Sequence, residues 1–422
     1  MGRESSSTKA ISLVRDSINH IISSALSSGV KTIHIEPGTN FLLVRFRRGT
    51  KLEVVNKLPK ANAKEFSSQL KKMANLDSNK TSIPQYGLTK LEIAKKLHEF
   101  QVVTLPVIGG EKITIDILSD VSSTDSLDKI GLWGKALSSV GQALATNHGL
   151  ILITSPGLKP AQDLLGLMLG MLASPTHQLA YFGPTLGGIP LSVDIENSDN
   201  LTQKLNALTL GKYSIVGIGQ INSSALASQI NDLVIKGQHV MAVLPASTAA
   251  SALSLWQQMV DGPLSSPFVI NQRTVASLCD NCKQAYAPSV IEEIQLATNF
   301  HLDTPRAMKD LHALEASAIK AGLGSETEAS TTPKKILKLW RRDPAGCSHC
   351  NFSGYGQDIG IFEVLIPSDK IISKLNHKIS ASELQDIVSS EGQLSLKNDA
   401  LIKALRGLID FKTLLEVCST TN

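Results

Sequence analysis

Two stretches of this chain carry residue types whose spacing points to chemistry. The first is HGLILITSPGLKPAQD, His148 to Asp163, an apolar run that enters a helical pattern through a Gly/Pro turn. Its frame is that of a phosphate-binding loop, G-x-x-x-x-G-K-[ST], in which glycines let backbone N–H groups cradle phosphates, the lysine reaches the terminal ones and the hydroxyl holds Mg²⁺. In that frame Ser155 stands at the first glycine, Pro160 at the second, Ala161 at the lysine and Gln162 at the hydroxyl, with Pro156, Gly157, Leu158 and Lys159 between. Pro160 has no N–H to donate, and Lys159 lies two positions early. Asp163 places a carboxylate in the expected first helical turn, where the dipole would favour a phosphate; it reads either as a helix cap or as an anion that repels a nucleotide. Like charges about 4 Å apart repel by roughly 1 kcal/mol in water and about 4 kcal/mol at an effective dielectric near 20. Tight binding of ATP and Mg²⁺ is not expected.

The second stretch is a pair of C-x-x-C units, Cys279 with Cys282 in LCDNCK and Cys347 with Cys350 in GCSHCNFSGYG. Paired units of this kind in a reducing compartment point to tetrahedral zinc rather than disulfides, so a structural four-cysteine zinc site is expected. The pairs are too far apart for a compact ribbon, which implies an insertion between them. His349 lies between two ligands and is expected to stay outside the coordination sphere. The fifth cysteine, Cys418, reads as a buried apolar residue.

Composition narrows the alternatives. At 422 residues with a formal charge of +4, the chain can build two or three cored domains, and neither charge nor aromatic content suits nucleic acid. The N-terminus lacks an apolar leader and no stretch approaches a membrane span, which places the chain in the cytoplasm, at most peripheral to the inner face of the membrane. KKILKLWRR, Lys334 to Arg342, is the densest basic run; it reads as a solvated face, with a membrane surface or an acidic partner as the alternative.

The elements that must position these residues alternate between β and α patterns. A helix from Ile11 to Ser28 ending at Gly29, strands TIHIEP and FLLVRFR, a helix over Ala63–Ala74, and strands over Phe100–Pro106 and Lys112–Leu118 form an N-terminal α/β domain, 1–119. SDVSSTDS gives a linker, 120–126. From 127 to 272 a helix over Leu132–Ala145 and the apolar strands LILIT, QLAYFG, YSIVGIG and VMAVLP, with a helix over Ser224–Lys236, predict a parallel sheet covered on both faces. The metal region, 273–365, contains the polar GLGSETEASTTP, expected to be mobile, and 366–422 reads as helical.

With these pieces in order, the chain resembles the type II secretion and type IV pilus assembly ATPase superfamily over nearly its whole length. The resemblance rests on HIEP at His34–Pro37, LP at Leu105–Pro106 with GGEK at Gly109–Lys112, LDKIGL at Leu127–Leu132, HGLILITSPG, VINQRTVASLCDNC, AGCSHCNFSGYGQDIGIFEVL and ALRGLIDFKTLLEV. It implies an α/β fold with a RecA-like parallel-sheet domain, a smaller PAS-like N-terminal domain, a tetracysteine zinc region and terminal helices. It also implies hexameric rings, formed with itself or with an active paralogous ATPase, and an inner-membrane platform protein as partner. The chain begins at what resembles the family's second N-terminal domain, so contacts through a first one are not expected.

The departures fall on the chemistry. Phe182, Gly183 and Pro184 stand where the family carries acids after the strand following the loop helix. Gln220 stands at the glutamate that activates water, and an amide is no base. Asn222 and Ser223 replace an arginine and an aspartate, Asn206 and Leu210 paired arginines, Gln238 and Pro245 the histidine box, and Gln101 and Asp116 the N-terminal-domain arginines. The resemblance so qualified implies a catalytically impaired motor subunit. The alternatives are a weak ATPase using Lys159, with Asp194 and Glu196 as the nearest carboxylates, and a zinc-stabilised interaction module that forms no ring. His34 and Glu36 share a strand face and read as structural hydrogen-bonding residues.

Overall fold

The computed structural model describes residues 2–48, 51–93, 95–118, 126–173, 178–183, 192–193, 213–375, 379–391 and 393–419. The chain divides into two compact units, Met1–Asp120 with Gly356–Asp358, and Val121–Tyr355 with Ile359–Asn422.

The first unit runs α1 (Gly2–Ser27), β1 (Thr32–Pro37), β2 (Phe41–Arg48), β3 (Lys51–Pro59), α2 (Ala63–Met73), β4 (Gln85–Ile93), β5 (Lys96–Val107) and β6 (Gly110–Leu118). Its six strands pair in the order β3-β2-β1-β6-β5-β4, antiparallel throughout. Alternation along the strands places Ile33, Ile35, Phe46, Phe100, Val102, Ile113 and Ile115 in one core with Ile18 and Ile22 of α1 and Phe66 and Leu70 of α2. The edge strands β3 and β4 are absent from the sequence reading. Their charged, half-exposed patterns, KLEVVNKLP and QYGLTKLEI, are how sheet edges are protected from further pairing, and such strands lack the apolar signal of central ones.

The second unit opens with α3 (Gly134–Leu144), β7 (Gly149–Thr154), α4 (Leu158–Leu172), β8 (Leu179–Phe182), β9 (Ser192–Val193), β10 (Ile215–Ile218), α5 (Ser224–Ile235), β11 (His239–Val243), α6 (Ala249–Met259) and β12 (Phe268–Leu278). It continues with β13 (Gln284–Tyr286), α7 (Val290–Phe300), α8 (Pro305–Lys320), β14 (Leu339–Arg341), β15 (Tyr355–Leu365), α9 (Asp369–Leu375), α10 (Ala381–Ser390), α11 (Leu396–Leu405) and α12 (Phe411–Ser419). The sheet order is β15-β12-β7-β11-β10-β8-β9, with parallel pairing from β12 through to β9. Both faces are covered, as continuous apolar strands require. Leu150, Leu152, Val216 and Ala242 pack on α5 and α6, while Ile151, Ile153, Met241 and Val243 pack on α3 and α4.

α8, α11 and α12 share a third core with Trp133, Leu339 and Ile361. Two buried charge networks fasten it. Asp399 accepts from Trp133 Nε1 at 2.6 Å, Phe362 N at 2.8 Å and Lys403 Nζ at 2.5 Å. Arg406 donates to the carbonyls of Leu323, Glu326 and Glu328, and Glu315 accepts from the N–H groups of Ser330 and Thr331. The polar GLGSETEASTTP segment, read as mobile, is therefore tied down along its backbone. Its composition suggested mobility because the two groups that hold it lie outside it.

Candidate functional site

In the phosphate-loop motif the glycine-bracketed residues form a loop between strand and helix. Here β7 ends at Thr154 and α4 begins at Leu158, which leaves only Ser155, Pro156 and Gly157 between them. Leu158, Lys159 and Pro160 are already helical. Pro160 is tolerated because N–H groups of the first turn have no intrahelical acceptor. Gly157 precedes the helix with extended backbone and no side-chain cap.

Each altered position has its own structural use. Ala161, at the lysine position, is fully buried in the core between α4 and the sheet. Gln162, at the Mg²⁺ hydroxyl position, is buried and donates from Nε2 to the carbonyl of Gly219 at 3.1 Å, which joins α4 to the end of β10. Ser155 is buried, and Thr154 Oγ1 donates to the carbonyl of Ala246 at 3.1 Å. Lys159 Nζ is bound to Asp163 Oδ1 at 2.5 Å. Asp163 neither caps the helix nor sits in its first turn: α4 starts early, so this carboxylate falls in the second turn.

Beyond β10 the backbone closes the same sheet edge, with Gly219 N bonded to Phe182 O at 2.6 Å and Ile221 N to Val243 O at 2.7 Å. Gln220 is exposed. Ser223 caps α5, accepting from Leu226 N at 3.3 Å, and Asn222 is exposed. A Cβ on Gly183 would stand 2.5 Å from the Tyr181 hydroxyl, and burial pushes that phenol's pKa up. Pro245 follows β11 at this edge, but Gln238 precedes β11 and bonds to the carbonyls of Tyr213 and Ser214. Gln238 thus lies at the opposite edge of the sheet from Pro245. Pro184, Asp194, Glu196, Asn206 and Leu210 lie outside the described residues.

The sequence reading did not single out Arg273 and Glu363, which brace the loop between β11 and α6. Glu363 accepts from Ala249 N at 2.8 Å, burial raises its pKa, and Arg273 donates to Ser247 O at 3.2 Å. Their signal was a charge on a strand: Arg273 is the one charged residue of FVINQRTVASL, and Glu363 stands between the apolar Phe362 and Val364.

In the first unit, Gln101 and Asp116 face each other across β5 and β6, and Asp116 accepts from Thr32 Oγ1 at 2.7 Å. His34 Nε2 accepts from Arg47 at 3.2 Å and Nδ1 meets Thr114 Oγ1 at 3.3 Å. Burial, with Arg47 and Lys112 nearby, lowers the His34 pKa to about 4. Glu36 pairs with Lys112 at 2.8 Å and Arg45 at 3.2 Å. These are the structural contacts expected of the pair.

The cysteines are brought together. The Sγ atoms of Cys279, Cys282, Cys347 and Cys350 all lie within 4.8 Å of one another, with 279–347 and 282–350 at 3.8 Å and 347–350 at 3.7 Å. A tetrahedron with metal–sulfur bonds of about 2.3 Å has edges of about 3.8 Å, so the donor set fits a four-coordinate ion. Two knuckle turns shape it: Lys283 N bonds to Cys279 O at 2.9 Å and Phe352 N to Cys347 O at 2.9 Å. Gly346 and Gly354 have positive φ, and a Cβ on either would come within 2.6 Å of backbone. Burial pushes the Cys350 thiol up, but N–H groups of Cys347 and Gly354, each 3.2 Å from its sulfur, outweigh it and bring the pKa to about 6. His349 is exposed.

Solved structures define the class of fold. The Legionella pneumophila ATPase DotB matches with a TM-score of 0.61 at 13% identity, covering 95% of each chain. The pilus retraction motor PilT with bound ADP matches at 0.50 and 12%, covering 95% of this chain and 96% of that one. The second unit is thus a RecA-like parallel sheet of the secretion-ATPase kind. The sequence profile of the family described as "Type II/IV secretion system protein" matches residues 7–157 and 215–416, and the chain belongs to that family. The type II secretion system protein E of Pectobacterium carotovorum is 25% identical over 95% of this chain and 74% of its own length. The type IV pilus assembly ATPase PilB of Pseudomonas aeruginosa is 26% identical over 93% of this chain and 65% of its own. The profile match pauses at Gly157, the last residue before α4, and resumes at Ile215, the first of β10.

Proposed function

We propose that this chain is a catalytically impaired subunit of a type IV pilus assembly or type II secretion motor, acting through contacts with neighbouring subunits or a membrane platform protein. The early start of α4 carries the reading. It turns half of the phosphate loop into helix, buries Ala161 where a lysine would reach phosphate, and commits Gln162 to Gly219. Gln220 at the end of β10 adds the absence of a general base at that position.

In this reading the four cysteines hold a structural zinc ion, whose contribution is folding energy rather than chemistry. The chain joins a hexameric ring, with itself or an active paralogue, at the cytoplasmic face of the membrane; no helix among the described residues is long and apolar enough to cross one. A phosphate-release assay on the zinc-loaded protein, alone and mixed with an active relative, tests the proposal. The expected result is no release alone and altered release in the mixture. Turnover by the isolated chain that disappears in Lys159→Ala would establish the weak-ATPase alternative instead.

A further inference from the structure

The four sulfurs of the quartet are not equivalent. Cys279 and Cys350 are buried, whereas Cys282 and Cys347 are half-buried. Each contact between the two knuckles therefore joins a sulfur that a solute can reach to one that it cannot: Cys347 with Cys279 and Cys282 with Cys350, both at 3.8 Å. An accessible sulfur beside a sheltered one is the arrangement of an attacking and a resolving cysteine. Cys418 is buried in the core of α8, α11 and α12 and lies outside the quartet.

The quartet also fastens two neighbouring strands. Cys279 directly follows β12, Cys350 precedes β15 by a short turn, and β12 and β15 are adjacent in the sheet. Cys279 N donates to Gly354 O at 3.1 Å, which holds one knuckle against the other. The same strands carry Arg273 and Glu363, the residues that brace the loop before α6. A replacement for the ion that keeps the knuckles joined also keeps those strands joined.

We infer that the quartet is a redox centre: a hydroperoxide oxidises it to two disulfides between the knuckles, Cys279–Cys347 and Cys282–Cys350, which release the ion and take over its structural role. This rests on the zinc site proposed above and on no feature of the β7–α4 loop. In the loaded site the sulfurs are thiolates, the nucleophilic form of cysteine. With hydrogen peroxide, the Cys347 thiolate attacks the O–O bond, forming S–OH and expelling hydroxide. The Cys279 thiolate then attacks that sulfur, forming the S–S bond and expelling a second hydroxide, and solvent protons convert both hydroxides to water. Cys282 and Cys350 repeat the sequence, so two peroxides take four electrons from four thiolates. Each bond joins cysteines 68 positions apart, which constrains the unfolded chain more than a bond within either C-x-x-C unit would. Pairing between the knuckles is thus the one that holds the fold without the ion.

The full-length, zinc-loaded protein is titrated with hydrogen peroxide while a weak chromophoric chelator reports free zinc, and the product is alkylated and digested with trypsin without reductant. Zinc loss should be complete at about two equivalents of peroxide per ion, and peptides 274–283 and 343–370 should be recovered joined to each other. The oxidised protein should keep the hydrogen-exchange protection of 279–350 that chelation under reducing conditions removes, and dithiothreitol with zinc should restore the starting protein. Cys418→Ser should respond as the wild type does. Zinc retained through about a tenfold excess of peroxide overturns the proposal, as does direct conversion to sulfinic acid. Recovery of the two peptides apart, each closed by its own internal disulfide, overturns it too. Zinc content before oxidation tests the metal site by itself, and the peptide map of the metal-free protein tests the disulfide pairing whatever that content is.

Discussion

The β7–α4 loop and the cysteine quartet lie in one unit, yet their side chains are engaged in opposite ways. At the loop Ala161 fills the core, Gln162 holds Gly219 and Lys159 holds Asp163. At the quartet the donors face one another with the spacing of a tetrahedral ion and make few other contacts. A site that has closed on itself is stable without its ligand, and a site whose donors face each other needs one. On the proposed function, the fold keeps a part that contributes folding energy and dispenses with one that contributes only chemistry.

The contrast breaks first at the metal. Structural zinc contributes on the order of 10 kcal/mol to small metal domains, so chelation, or Cys350→Ser, should release the bound ion and expose 279–350 to hydrogen exchange. Unchanged protection would leave the quartet no more dependent on a ligand than the loop. Next in size is Ala161→Lys, which places a charge in a fully buried position. A drop of about 3 units in lysine pKa corresponds to roughly 4 kcal/mol of destabilisation, visible as a lower denaturation midpoint.

Arg406→Met should cost about 3 kcal/mol, because it leaves buried carbonyls of the 323–328 segment and Glu315 without a cation; exchange protection should fall in 323–331 and hold at the loop. Gln162→Ala removes the donor to Gly219 and should cost about 1–2 kcal/mol, read from the same midpoint. Lys159→Ala is the smallest, below about 1 kcal/mol, since its ion pair is partly exposed. A much larger loss there would mean that Lys159 does more than neutralise Asp163.

Much of this was legible before any coordinates. The parallel sheet announced itself in the LILIT, YSIVGIG and VMAVLP runs, and the quartet in its spacing. The substitutions at the loop were readable, but their consequence was not. Pro160 was read as a loop residue at the second glycine position, whereas a proline in a first turn interrupts no hydrogen bond, so the helix starts already at Leu158. That early start also moved Asp163 out of the first turn. Gln238 was matched by position along the chain, and only strand ends show that it lies on the far edge. The charge networks around Asp399 and Arg406 join residues far apart in sequence, such as Arg406 with Leu323, which local pattern cannot reveal.

The central claim is that the loop no longer holds a nucleotide. Titration of Mg-ATP into the purified, metal-loaded chain by calorimetry, at protein concentrations that permit assembly, addresses it most directly. The account predicts no measurable heat up to millimolar nucleotide, which corresponds to a binding free energy weaker than about −4 kcal/mol. Micromolar binding, about −8 kcal/mol, abolished by Lys159→Ala, would contradict it.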